Sequence, residues 1–227
     1  MVNGILFDKD GTLFDFEATW GTWAGEVLQE LGAQDPALTH TLAGALGYDL
    51  ANQRFFPTSS VIAGTVEEQA MSIAPILGRD VDEVTSELNA MAAAVRQVEV
   101  TPLAPLLSSF RKQDIKLGVA TNDAESSARS HLRSVGITAA FDFIAGYDSG
   151  FGGKPAPGQL IAFAEATGLA PETVAMVGDS THDLHAARAA GMVAVGVLTG
   201  PADEAALAPY ADVVLPSIAD LPGWIAT

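Results

Sequence analysis

Asp8 and Asp10 stand either side of a lysine in ILFDKDGTLFD, residues 5–15. Carboxylates this close repel each other, so a fold that gathers them must supply an offsetting cation or a proton. Three further polar clusters follow along the chain. Thr121 and Asn122 lie in VATND, Lys154 in GGKPAP, and Asp179 and Asp183 in VGDSTHD. The chemistry that uses this set is phosphoryl transfer. A carboxylate can attack phosphorus and carry it as an aspartyl-phosphate. A second acid can protonate the leaving oxygen and then take a proton from the attacking water. Two carboxylates and a main-chain carbonyl are hard oxygen ligands that suit Mg2+. A lysine and a hydroxyl can hold the non-bridging oxygens, where transition-state charge is spread. A charged, metal-bound Asp8 would favour a proton on Asp10 at the start of the cycle.

Elements far apart in sequence must bring these groups together. Short apolar runs at 2–7, 115–120, 141–145, 173–178, 193–197 and 212–215 read as buried parallel strands, bounded by Gly, Asp or Asn. Helical stretches at 124–135, 157–167 and 182–190 alternate with them. That alternation predicts an α/β fold with a doubly wound, Rossmann-like parallel sheet, whose ligands sit beyond the carboxyl ends of the strands. The four polar clusters fall at strand ends or in adjacent loops.

Residues 16–98 interrupt the pattern. Helices are predicted at 17–32, 36–47, 66–78 and 80–98. Leu42, Ala45 and Leu46, and Val84, Leu88, Met91 and Val95, have the spacing of amphipathic faces. Asp80 reads as an N-cap with Glu83 completing a capping box, and Gly32, Gly47 and Gly78 read as helix stops. The expected organisation is a core built from 1–15 and 99–227, with an α-helical cap subdomain at 16–98. Hinges are expected near 14–18 and 98–104, the second stiffened by Pro102 and Pro105.

Composition sets further bounds. Of 227 residues, 48% are apolar and 17% charged, enough for a sizeable core and unlike a disordered chain. The 28 acids against 11 bases give a net charge of −17, which argues against nucleic acid or an anionic membrane as partner. Any phosphate must therefore be held by local charge. There is no cysteine, hence no thiol nucleophile and no disulfide. This suits a reducing compartment, and a cytoplasmic location is expected. The N-terminus reads as a poor signal peptide, and no apolar segment is long enough to span a bilayer.

DKDGTLFD, VATN, KPAP and GDSTHD match, in order, the four motifs of the haloacid dehalogenase-like hydrolase superfamily. The chain most resembles its phosphoglycolate phosphatase group, whose KPxP and GDSxxD are reproduced. The resemblance implies a Rossmann-like core with a mobile helical cap between the first two motifs. It implies Asp8 as nucleophile and Asp10 as general acid and base, with Thr121, Asn122 and Lys154 binding phosphate. Mg2+ would be held by Asp8, the Asp10 carbonyl and Asp179, with Asp183 supporting them. An acid two places after the nucleophile marks the phosphatases and phosphomutases, and dehalogenases lack it. The expected activity is Mg2+-dependent hydrolysis of a small phosphorylated metabolite. A phosphomutase is the alternative within the same chemistry. A non-catalytic phospho-receiver is the alternative outside it, although a receiver has no need of Asp10.

Other residues admit a functional and a plain reading. His182 and His185 could form a metal pair, but the fourth motif already accounts for their segment. Phe14, Phe16, Trp20 and Trp23 are expected to pack the hinge rather than form a substrate platform. Arg54, in the loop-like stretch NQRFFPTSS (52–60), could bind a substrate carboxylate or phosphate in bidentate fashion, or lie solvated on the surface.

Overall fold

The computed structural model describes residues 2–56 and 58–226. β1 (Gly4–Phe7) is apolar and wholly buried. The chain then leaves the sheet for a helical insert. α1 (Phe16–Leu31) starts at Asp15, whose carboxylate accepts from the Ala18 N–H, and α2 (Pro36–Leu46) starts at Asp35 in the same way. Between them Gly32 ends α1 at φ −72°, and Ala33 and Gln34 take the left-handed turn instead. Gly32 is required for space: a Cβ there would lie 2.2 Å from Thr39 Oγ1.

A short antiparallel hairpin follows, β2 (Tyr48–Asp49) with β3 (Arg54–Phe55), where the sequence reads as loop. Pro57, in the same stretch, lies outside the described residues. α3 (Val66–Leu77) and α4 (Val81–Ala92) pack against each other. The reciprocal capping box forms at Thr65 and Glu68. Asp80 does cap α4, but Glu83 turns to Arg79 at 2.8 Å rather than closing a box. α4 stops at Ala92, six residues before the predicted end. Its last carbonyls are taken by side chains from elsewhere: Ala92 O accepts from His131 Nε2 at 2.8 Å and Ala93 O from Ser130 Oγ at 2.9 Å.

The chain then completes the sheet. α5 (Leu103–Arg111), which the sequence reading does not place, starts inside the expected hinge at 98–104. Both prolines fall at or before the first turn, where helix N–H groups lack intrahelical partners anyway. β4 (Lys116–Ala120), α6 (Glu125–Ser134), β5 (Phe143–Ala145), α7 (Gly158–Thr167), β6 (Val174–Gly178), α8 (Thr181–Ala190) and β7 (Val193–Val197) follow. α9 (Glu204–Leu207), β8 (Val213–Leu215) and α10 (Leu221–Ile225) end the chain. The six long-sheet strands are parallel in the order β5-β4-β1-β6-β7-β8. Each falls in one of the six apolar runs, and the α/β, Rossmann-like class is observed.

Side chains of β1 alternate between the two faces. Ile5 and Phe7 join Leu103, Phe110 and Leu132 on one side, and Leu6 joins Phe163, Met176 and Leu184 on the other. The insert carries its own apolar cluster, including Leu28, Leu42, Ile73 and Val84. Among the described residues no helix is long and apolar enough to cross a membrane.

Candidate active site

The order of strands reverses on either side of β1, and the crevice beyond its carboxyl end is where a ligand fits an open α/β sheet. Asp8 extends that strand, its N–H donating to Val177 O at 2.8 Å. Asp179 follows β6, and Asp183 lies in the first turn of α8. Each of the three offers one carboxylate oxygen, and these oxygens all lie within 4.8 Å of one another.

Glycines make this crowding possible. A Cβ on Gly11, which also sits at φ +75°, would lie 2.3 Å from Asp179 Oδ2. One on Gly200 would lie 1.8 Å from the same oxygen, and one on Gly178 would lie 2.2 Å from the Asp183 carboxyl carbon. Backbone thus takes the place of side chain around the acids. Thr199 Oγ1 fastens the loop after β1 by donating to Gly11 O at 2.6 Å.

Lys154 reaches in from the loop before α7. Its Nζ lies 2.6 Å from Asp8 Oδ1 and 2.6 Å from Asp183 Oδ1. Asp183 is fixed from its other oxygen, which accepts from the Ser180 N–H and hydroxyl at the α8 cap. One ammonium therefore faces three buried carboxylates. Burial, with the nearby Asp183 and Asp10 charges, pushes Asp8 up to about 7 against the pull of Lys154. Burial and the Asp8 and Asp183 charges raise Asp179 well above the usual carboxylate range. Burial disfavours the Lys154 charge, but Asp183 and Asp8 outweigh it and hold this lysine above its ordinary value. The acids are short of positive charge, and their hard oxygen donors fit a divalent cation such as Mg2+. Asp8, Asp179 and Asp183 could hold it, and a bound cation would offset the charge that builds on a reacting phosphate.

Thr121 is buried beside this group and lines the same cleft. Its hydroxyl accepts from the Asp123 N–H at 3.1 Å and keeps its own proton for an acceptor in the cleft. Asn122 departs from the expectation that its side chain binds phosphate. Its Oδ1 accepts from the Lys154 N–H at 2.8 Å, and its Nδ2 donates to Lys154 O at 2.9 Å and Ala63 O at 2.8 Å. The amide is fully engaged in holding the lysine loop and tying it to the insert.

Asp10 points away from the acid cluster. Its Oδ1 accepts from Trp20 Nε1 at 2.8 Å, and its Oδ2 lies 2.5 Å from Lys9 Nζ. Only its main-chain carbonyl is left for a cation. With a donor on each oxygen the carboxyl is an acceptor twice over, which is not the arrangement expected of a proton-carrying Asp10. Lys9 is wholly buried, also lies 3.0 Å from Asp123 Oδ2, and sits 5.3 Å from the Trp20 ring centroid. Burial opposes its charge, but Asp10 and Asp123 raise its pKa. Sequence reasoning missed Lys9 and Asp123 altogether. The available signal was a lysine inside an apolar strand end, where solvent offers it no place.

Other residues with two readings take the following places. Arg54 is exposed on β3, and its neighbour Phe55 turns inward instead, packing on Tyr48 with ring centroids 5.0 Å apart. Alternation along a strand makes one residue of each such pair face out. His182 lines the cleft while His185 packs on Tyr210 at 4.5 Å, so the two form no metal pair. Phe14 is buried as expected, but Phe16, Trp20 and Trp23 line the cleft itself.

A haloacid dehalogenase-like hydrolase model matches residues 2–191, and the chain belongs to that family. Phosphoglycolate phosphatase of Shigella boydii is 31% identical over 240 residues, covering 97% of this chain and 91% of that protein. A probable phosphatase of Dickeya dadantii, IndB, is 34% identical over 128 residues, and the chain spans about half of its length (55%). The crystal structure of a haloacid dehalogenase-like hydrolase from Bacteroides fragilis superposes with a TM-score of 0.73 at 23% identity, covering 97% of this chain and 100% of that one. That likeness is one of fold.

Proposed function

We propose that this enzyme hydrolyses the phosphate monoester of a small metabolite, with Mg2+ in the acidic cluster and Asp8 as the group that accepts phosphate. The observation that carries the reading is Lys154, which holds Asp8 and Asp183 at 2.6 Å each beneath a cleft that admits a ligand. A carboxylate oxygen of Asp8 attacks phosphorus, the ester P–O bond breaks, and phosphate passes to Asp8. Lys154 and the Thr121 hydroxyl steady the non-bridging oxygens. Once freed from one of its contacts, Asp10 takes up a proton from solvent, gives it to the leaving oxygen and later takes one from the water that frees the phosphate.

Asp10 must first release one of its two contacts. One belongs to Trp20, in the first helix of the insert, so a shift of that helix would free the acid. On this reading the insert is a lid that excludes water until substrate is in place. Transfer of phosphate to water rather than to a second substrate follows the relatives, which are named as phosphatases. A cytoplasmic location would suit such substrates and is in keeping with the cysteine-free sequence.

The test is phosphate release from a panel of phosphorylated metabolites. Release should require added Mg2+ and stop with a chelator. Full activity in chelator would exclude the metal, and the absence of release from every ester would exclude the phosphatase.

A further inference from the structure

The cleft has a cavity volume of about 80 Å3 and opens to solvent, and its two walls differ in kind. The sheet side carries the charged and hydrogen-bonding groups described above. The insert side is built from side chains such as Trp23, Val27, Leu46, Phe55, Val66 and Leu88. Among the described residues its polar groups in the lining are the Gln69 amide and the indole N–H groups of Trp20 and Trp23, the Trp20 one donating to Asp10.

The insert also brings no cation to the cleft. It contains no lysine, and its arginines are Arg54, Arg79 and Arg96. Arg54 is exposed on the hairpin. Arg79 is paired with Glu83 at 2.8 Å and Glu87 at 2.6 Å. Arg96 borders a separate groove that it shares with Glu26 and Glu99. Lys154 is committed to Asp8 and Asp183, and Lys9 lies behind Asp10.

We propose that the alcohol part of the substrate is apolar and uncharged: an aliphatic or aryl-alkyl phosphate monoester rather than a phosphorylated acid or sugar. This rests on the phosphatase reading above and names its substrate class. A carboxylate on the leaving group would be desolvated against Val27, Leu88 and Phe55, where the insert side supplies no cation, which is costly. Sugar hydroxyls would each need a donor or acceptor, and the insert offers one amide and the Trp23 indole N–H. An apolar group gains from every carbon it buries there.

Two measurements test this together. The first compares kcat/KM for isopentyl phosphate and 3-phenylpropyl phosphate with that for phosphoglycolate and glucose 1-phosphate. The second measures binding of unreactive n-alkylphosphonates by calorimetry. The apolar esters should lead by at least about tenfold, and each added methylene should tighten phosphonate binding by roughly threefold until the cleft is full. Val61, half-buried at the cleft edge, supplies a variant that leaves the reacting groups untouched. Val61→Lys should flatten the phosphonate series and raise activity on phosphoglycolate relative to the apolar esters.

Fastest release from phosphoglycolate or glucose 1-phosphate, with phosphonate affinity independent of chain length, would overturn the proposal and leave the phosphatase reading standing. A chain-length series in binding with no release from any ester would overturn the phosphatase reading and keep the apolar cleft. No release and no series would overturn both.

Discussion

The sheet side and the insert side of the cleft are built on opposite rules. Around Asp8, Asp179 and Asp183, a shift of one atom matters, because glycine backbone stands where any Cβ would strike a carboxylate. Across the cleft, the wall is a patchwork of apolar side chains from α1, the hairpin, α3 and α4. Such surfaces tolerate exchange between hydrophobic residues of similar volume. The contrast separates two jobs. Reaction chemistry needs particular atoms at particular places, whereas selection of an apolar group needs volume and dryness.

Four changes would break or sharpen this contrast. The largest effect is expected from Asp8→Asn, which keeps shape and removes the attacking charge. Turnover should fall at least about a thousandfold with the fold intact by circular dichroism. Activity within about tenfold of the parent would show that the sheet side does not work through Asp8.

Gly200→Ala comes next. Its Cβ would meet Asp179 Oδ2 at 1.8 Å, so the carboxylate must swing away. Activity at saturating Mg2+ should drop by roughly a hundredfold, about 2.7 kcal/mol at the barrier, and the Mg2+ needed for half-activity should rise. A silent Gly200→Ala would mean that the acids are not held to atomic tolerance.

Lys9→Met tests the buried ion-pair group behind the cleft. It leaves Asp10 and Asp123 facing each other without their shared ammonium. Urea unfolding should show a loss of about 3 kcal/mol, because breaking a buried pair exposes an uncompensated charge. Asp123→Asn alongside it should recover part of that loss. An unchanged midpoint for Lys9→Met would reduce the pair to a surface contact.

The smallest effect lies at the seam between the two sides. His131 packs against Trp20 at 5.9 Å, and its Nε2 donates to Ala92 O. Burial, with the nearby Lys9 charge, lowers its pKa below 6.5. The unfolded chain therefore takes up this proton first as pH falls. The stability that His131 supplies is complete above about pH 6.5 and declines below it. His131→Gln should flatten the fall in urea midpoint between pH 6.5 and 5 by a fraction of its slope. An identical slope in the variant would remove His131 from the acid sensitivity.

What could be read in the sequence follows the same division. Asp8, Asp179 and Asp183 were legible because each is a polar residue at or near the end of an apolar run, and Lys154 because it sits in the loop opening a predicted helix; phosphoryl transfer asks for those types. The six parallel strands were legible because burial on both faces leaves continuous apolar segments. Lys9 was hidden because its second partner, Asp123, meets it only through the pairing of β1 with β4. Asn122 was misjudged because an amide at a strand end looks the same whether it meets ligand or backbone. Arg54 was left open between ligand and surface because the register of β3, which turns Phe55 inward, depends on a two-residue pairing with β2. The insert wall had no legible signature, since core leucines and cleft leucines are the same residue in the same period.

The central claim is that Asp8 carries the phosphate. Enzyme turning over a slowly hydrolysed ester with Mg2+ should be acid-quenched, reduced with borohydride and analysed by peptide mass spectrometry. An aspartyl-phosphate is reduced to homoserine, so the account predicts homoserine at position 8, absent without substrate and absent from Asp8→Asn. Steady phosphate release with position 8 unmodified and the conversion found at another aspartate would contradict it.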